Sequence, residues 1–310
     1  MRLVLIFDER RADTVGVYFR RACRELGITG EHWWARDMAR IPAGADLYLR
    51  IDHGDDYEAP VPAPLHPIVL YAVDTHLPHT WKKIRRVASR YDVVCCSQQD
   101  AASTLPNGEW VPLGCDLEWH GHPSTSNTWD LAFVGSEGGV PRTVILQALR
   151  ERYPNSFIGL AEHTQLGAIY GRARIGFNYA IANEVNMRAF EVLASGALLV
   201  TNPMAAESLA ALGLQDRRHL VIYRRPAELY ATIDEWLSRE EERRIIAQAG
   251  AEVARQRHTY AHRLAHLLTR VSARLQIKSG RSKVEATLPS TFHLPPSTLF
   301  DLKEASCVSL

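Results

Sequence analysis

The sequence predicts an α/β protein of two domains, each built on a parallel sheet and facing the other across a cleft. Three observations predict it. Short β-rich runs alternate with amphipathic helical stretches, a second such series starts at Asp130, and between the two Gly114 to Thr128 is rich in Gly, Pro, Ser, His and Asn without apolar periodicity, as suits an interdomain connection. A length of 310 residues accommodates two compact units, and 46% hydrophobic against 23% charged residues marks a globular chain that folds without a partner. Lys plus Arg (36) nearly cancels Asp plus Glu (35), so no global field gathers nucleic acid or an anionic membrane, and any anion binding is local.

In the first series, Arg2 to Phe7 reads as a strand, and Val15, Tyr18, Phe19, Ala22, Cys23 and Leu26 recur at helical spacing with Gly27 as the C-terminal cap. Further strands fall at Leu47 to Ile51, Ile68 to Val73, Val93 to Cys96 and Trp110 to Leu113, with a helix through Trp81, Ile84, Val87 and Ala88. The opening apolar run ends in charge, with neither a long h-region nor a small-residue cleavage site, and no uncharged apolar stretch reaches the roughly 20 residues of a membrane helix. Five cysteines at 23, 95, 96, 115 and 307 form neither a disulfide framework nor spaced zinc pairs, so a cytoplasmic location is expected. Cys95 and Cys96 read as strand core, with a reactive thiol pair as the alternative.

In the second series, the strand from Asp130 enters a Gly135-Ser136 turn and a helix runs from about Val140 to Tyr153. Strands follow at Ile175 to Tyr179, Ala197 to Thr201 and His219 to Tyr223, then a helical stretch from Pro226 to Leu275. Prolines and serines between Leu288 and Thr298 suit a flexible tail. Ligands of open parallel sheets bind at the carboxyl ends of strands, so function is sought in the loops that follow them.

The stretch from Asn178 to Asn202 reads as strand, loop, helix, strand. Val185, Ala189, Val192 and Leu193 form its buried stripe, while Glu184, Arg188, Glu191 and Ser195 fall on another face, and Gly196 ends the helix. That polar stripe fits a solvated face with internal ion pairs. It equally fits a nucleotide-sugar site in which the helix N-terminus and Arg188 hold a diphosphate and Glu191 accepts from ribose hydroxyls.

The run from Val185 to Thr201 resembles the signature helix of GT-B glycosyltransferases, especially the spore-maturation CgeB-like and family 1-4-like group. Tyr91 to Gln98, Trp110 to Asp116, Leu131 to Ser136 and His258 to Arg263 resemble that group in the same order, covering most of Met1 to Leu275. The resemblance implies a GT-B fold of two Rossmann-like domains, with an acceptor-side domain at 1–115, a donor domain with a crossing helix at 116–278, and a tail at 279–310. It implies an NDP-sugar co-substrate and no other cofactor. Glu191 matches the second glutamate of the family's E-x7-E motif, which binds ribose, whereas the first falls at Asn183, with Glu184 adjacent and able to take its role. Retention of anomeric configuration is expected on the same ground.

The donor-binding set is therefore Gly135, Ser136, Arg142, Asn183, Glu184, Asn186, Arg188 and Glu191. Gly135 and Ser136 lie where a glycine turn lets backbone approach phosphate and Arg142 can neutralise it, although an ordinary βα turn reads the same way. Neither domain's first turn carries G-x-G-x-x-G, which weakens a dinucleotide-dependent dehydrogenase, and no Asp-x-Asp pair offers a divalent metal its carboxylates. Asp52 and His53 follow one strand, and Asp74 and His76 another. Asp74 or His76 is the candidate catalytic group that orients or deprotonates an acceptor hydroxyl, with loop capping as the alternative.

His258, His262 and His266 fall at helical spacing without an acidic or cysteine partner, which argues against a metal site, and Tyr260 and Arg263 are expected to anchor the crossing helix. His120 and His122 read as solvated. The expected activity is metal-independent transfer of a sugar, of hexosyltransferase type, to a glycan, protein or small-molecule acceptor, with no nucleic-acid partner. A non-catalytic GT-B-like binding or assembly protein is the alternative, kept open by Asn183, and a sugar-nucleotide epimerase is a third.

Overall fold

The computed structural model describes residues 1–11, 14–51, 60–124 and 126–278. Asp52 and His53, the tail from 279, and Cys307 lie outside the described residues.

Six strands form the first sheet: β1 Arg2–Ile6, β2 Thr29–Trp33, β3 Leu47–Ile51, β4 Ile68–Ala72, β5 Val93–Cys96 and β6 Gly108–Trp110, in the order β2-β1-β3-β4-β5-β6. Five form the second: β7 Trp129–Val134, β8 Ser156–Gly159, β9 Ala173–Asn178, β10 Leu198–Thr201 and β11 Val221–Ile222, in the order β11-β10-β9-β7-β8. Every pairing is parallel. The central strands are buried on both faces and read as continuous apolar runs, as helix-covered parallel sheets require. Strand order reverses between β1 and β3 and again between β7 and β9, which creates a crevice at the carboxyl end of each sheet.

The helices are α1 Gly16–Glu25, α2 Pro78–Val87, α3 Gln99–Ser103, α4 Leu117–His120, α5 Arg142–Arg152, α6 Leu166–Gly171, α7 Met187–Ser195, α8 Ala206–Ala211, α9 Leu229–Ser238, α10 Glu240–Arg257 and α11 Tyr260–Lys278. One apolar core runs through both halves, from Leu3 and Tyr18 through Ala132 and Phe190 to Leu264. It is continuous because α11 crosses back to the first sheet. Arg263 Nε donates to Leu113 O at 2.8 Å, His266 Nε2 to Trp110 O at 3.3 Å, and Arg270 pairs with Glu109 at 2.7 Å. Tyr18 of α1 stacks on Tyr260 with ring centroids 4.9 Å apart. The two carboxyl ends also meet directly, where Ser208 Oγ donates to Gln99 Oε1 at 3.3 Å.

Several expectations need correction. β2 and β8 do not show as apolar runs because both are edge strands with no fully buried residue. The strand expected at Trp110 to Leu113 is displaced to Gly108–Trp110, because Val111 and Leu113 are buried in the core shared by both halves and Pro112 has no N–H for a ladder. The connection is ordered: Asp116 caps α4, accepting from Trp119 N at 3.2 Å, and pairs with Arg21 at 2.8 Å. His120 is wholly buried, not solvated, whereas His122 is exposed. His258 precedes α11, so the three histidines do not share a helix face. Its Nε2 bonds Leu212 O, while His262 bonds Thr259. Cys95 and Cys96 are strand core, and burial pushes the Cys96 thiol up to about 12.

Candidate functional site

The crevice between β7 and β9 gathers most of the candidate donor residues. β7 ends at Val134, and Gly135 (φ 143) and Gly138 (φ 62) turn the chain towards α5 with backbone angles that side chains resist. Two guanidinium groups rest on this turn. A Cβ on Gly135 would stand 2.3 Å from Arg188 Nη2, and one on Gly138 would stand 1.8 Å from Arg142 Nη2, so both glycines make room for arginines. Arg188 Nε donates to Val134 O at 3.0 Å and its Nη1 to Asn178 Oδ1 at 3.2 Å. Arg142 Nε donates to Glu137 O at 2.8 Å. Both lie over the Phe133 ring, at 4.2 Å for Arg188 and 6.0 Å for Arg142.

Neither arginine has an ion-pair partner among the described residues. Burial first, and repulsion from Arg188 second, lower the Arg142 pKa. Two cations held together without a carboxylate between them present forked donors whose geometry suits phosphate oxygens. Asn178, a buried polar residue ending β9, is the positioning residue that sequence reading passed over. Its Oδ1 accepts from both Arg188 and Asn186 Nδ2 (3.0 Å), and its Nδ2 donates to Thr201 Oγ1 at 3.1 Å.

The other donor candidates take distinct positions. Asn186 caps α7, accepting from Ala189 N at 3.2 Å. Ser136 is exposed in the glycine turn. Asn183 is exposed, with φ 58, and its carbonyl accepts from Ala205 N at 2.6 Å. Glu184 is buried, and its two oxygens accept from the backbone N–H groups of Ile181 (3.0 Å) and Ala182 (2.7 Å). Its carboxylate closes its own loop, and its charge reaches Arg142 only through space.

Glu191, three residues past Arg188, is buried where the two halves meet. Its neighbours are His120, with Nε2 4.0 Å from Oε1, and the phenols of Tyr18, Tyr170 and Tyr260, whose pKa values burial raises first and its charge raises further. Asp116 N donates to His120 Nδ1 at 3.0 Å, which fixes the ring proton on Nε2, facing Glu191 without a hydrogen-bond partner. Burial raises the Glu191 pKa to about 7, against the opposing pull of Arg188, while burial holds His120 down to about 3. The polar stripe of α7 is thus not a solvated face: Glu191 and Ser195 are buried, and Ser195 Oγ bonds His120 O at 2.9 Å.

Asp74 and His76 are half-buried beyond the carboxyl end of β4, on the first sheet and apart from the arginine pair. His76 Nδ1 and Thr75 Oγ1 are buried without hydrogen-bond partners. No group of three His, Cys, Asp or Glu among the described residues could hold a metal, and no helix there is long and apolar enough to cross a membrane.

Two facing parallel sheets in this order, with a cationic crevice at the second switch point, define the GT-B fold of glycosyltransferases. Residues 123–269, which include every candidate donor residue, match the family described as Glycosyl transferase-like. Among solved structures, the chain is similar to Anabaena Alr3699/HepE in complex with UDP-glucose (12% identity, TM-score 0.60), covering 88% of this chain and 100% of that one. It is also similar to a DNA-modifying β-glucosyltransferase (14% identity, TM-score 0.57), covering 88% and 99%. S. aureus TarM, solved with UDP, shares 9% identity at a TM-score of 0.56 over 72% of this chain, which spans about half the length of TarM (55%). At these identities the likeness is one of fold. No curated protein matches the chain by sequence.

Proposed function

We propose that this chain is a glycosyltransferase that moves a sugar from a nucleoside diphosphate donor to an acceptor held by the first domain. The observation that carries the reading is the pair of guanidinium groups, Arg142 and Arg188, converging without a counter-ion on the glycine turn after β7. As the bond between the anomeric carbon and the diphosphate breaks, negative charge collects on the leaving oxygen. Two fixed cations beside an aromatic ring stabilise that charge without a metal. Glu191, as carboxylate, accepts from the ribose hydroxyls, and Asn178 fixes Arg188 against the strand ends. Across the cleft, Asp74 or His76 orients the acceptor hydroxyl or takes its proton, and the buried Nδ1 of His76 has no hydrogen-bond partner of its own. The fold neighbour solved with UDP-glucose supports a uridine donor. The match of Glu191 to the second glutamate of the E-x7-E motif of related retaining transferases supports a retaining outcome, and scattered cysteines that form no disulfide framework support a cytoplasmic setting.

Asn183 favours a second reading, a donor-binding protein without turnover. An amide stands where the family motif has a carboxylate, and Glu184 is committed to Ile181 and Ala182. Incubating the protein with UDP-glucose and related donors, and following release of UDP, separates the two. Release lost in Arg188→Ala supports transfer, whereas tight binding with no release by the parent protein supports the binder.

A further inference from the structure

At the opposite end of the second sheet from the arginine pair is a cavity of about 750 Å³. Ala173 opens β9 and Gly196 lies two residues before β10, so the cavity lies at the amino ends of these strands, with α10 as its outer wall. Arg174, Arg243, Arg244 and Arg255 line it, against the two carboxylates of Glu240 and Glu252.

These charges are unequally matched. Arg174 pairs with Asp130 at 3.0 Å, and Glu252 accepts from Gln256 Nε2 at 3.1 Å. Arg243 is only 2% exposed, and its Nη1 donates to the carbonyls of Trp236 (2.9 Å) and Leu237 (3.2 Å). Its Nη2 is buried with no hydrogen-bond partner. Arg244, one residue on, is exposed and has no ion pair among the described residues. Nη2 of Arg243 is sealed from the cavity, so an entering anion meets Arg244 and Arg255, whose forked donors suit phosphate oxygens. The volume falls within the usual range of about 300–1,000 Å³ for small-molecule sites.

We propose that this cavity is a second anion site, which takes a phosphate-bearing small molecule and is coupled to the donor crevice through α7. Arg255 provides the link, because its Nε and Nη2 donate to Ala194 O at 2.9 and 2.7 Å, in the last turn of α7. Gly196, whose left-handed φ of 86 ends that helix, also lines the cavity. Arg188 and Glu191 lie further up the same helix. An anion that draws Arg255 away from Ala194 O therefore disturbs the seat of the donor residues, and donor binding acts back on the anion with equal strength. The coupling rests on the donor reading given above, whereas the anion site does not.

Inorganic phosphate titrated calorimetrically into the parent protein, Arg188→Ala and Arg244→Glu tests this, with UDP-glucose titrated into the parent and Arg244→Glu with and without saturating phosphate. Arg244 is exposed, so its replacement leaves the fold intact, and far-ultraviolet circular dichroism checks that. Phosphate binding should survive Arg188→Ala and weaken about tenfold in Arg244→Glu. Saturating phosphate should shift UDP-glucose affinity in the parent more than in Arg244→Glu. No phosphate binding, or binding lost in Arg188→Ala and untouched in Arg244→Glu, overturns the site. An equal shift of UDP-glucose affinity in both proteins shows competition in the donor crevice and overturns the coupling. Phosphate binding that depends on Arg244 in a protein that ignores UDP-glucose removes the donor reading and leaves the second site standing.

Discussion

Raising the pH from 6 to 8 should strengthen UDP-glucose binding about tenfold, and Glu191→Gln should abolish most of that dependence. The magnitude follows from Glu191, whose pKa burial raises to about 7. Its ionised fraction climbs from about one tenth at pH 6 to about nine tenths at pH 8, and if ribose hydroxyls need the carboxylate, affinity follows that fraction, worth ~1.4 kcal/mol. The titratable groups around it with shifted values stay out of this range: burial holds His120 down to about 3 and raises the phenols of Tyr18, Tyr170 and Tyr260. UDP-glucose is chosen over UDP because it has no terminal phosphate to titrate. The unliganded protein should show the opposite trend. Its Glu191 pKa lies above the ordinary 4.5, so the folded chain binds more protons than the unfolded one between those values, and stability falls as pH rises through that window. Isothermal calorimetry at pH 6, 7 and 8 reads the binding arm. A flat profile in the parent protein, or the same slope in Glu191→Gln, would refute the role given to this carboxyl.

Arg142→Ala and Arg188→Ala should each cost UDP about 10- to 100-fold in affinity, the range of a lost charge-assisted hydrogen bond of ~1.5–3 kcal/mol, while affinity for uridine changes little in a parallel titration. Gly135→Ala forces a methyl to within 2.3 Å of Arg188 Nη2 at a φ of 143, so UDP binding should weaken about tenfold or more with the fold intact by circular dichroism. Donor turnover should persist after EDTA treatment if Arg142 and Arg188, and no divalent cation, neutralise the diphosphate; loss of turnover restored by magnesium or manganese would contradict this.

Much of the fold was legible because parallel sheets bury their central strands on both faces, so that β1, β3, β4, β5, β7, β9 and β10 stand out as apolar runs. β2 and β8 were hidden for the same reason inverted, since as edge strands they bury none of their residues fully and need no apolar run. On α7, the spacing of Arg188 and Glu191 identified a polar face, and Gly196 marked its end. Spacing could not show that Glu191 and Ser195 pack against His120, because that contact joins residues more than 70 positions apart in the chain. It could not show that Glu184 spends both oxygens on its own loop, which is settled by the local path of the backbone. Asn178 offered the clearest unused signal, an amide closing the apolar run Ile175 to Phe177 at a switch point. The cavity beside α10 had none, since its arginines come from β9 and α10 and read in sequence as ordinary surface charge.

A crystal structure of the protein soaked with UDP decides whether the β7/β9 crevice is the donor site. The diphosphate is expected within hydrogen-bonding distance of both Arg142 and Arg188, with the ribose beside Glu191. Nucleotide found elsewhere, or seated in the crevice with its phosphates turned away from both arginines, would contradict the account.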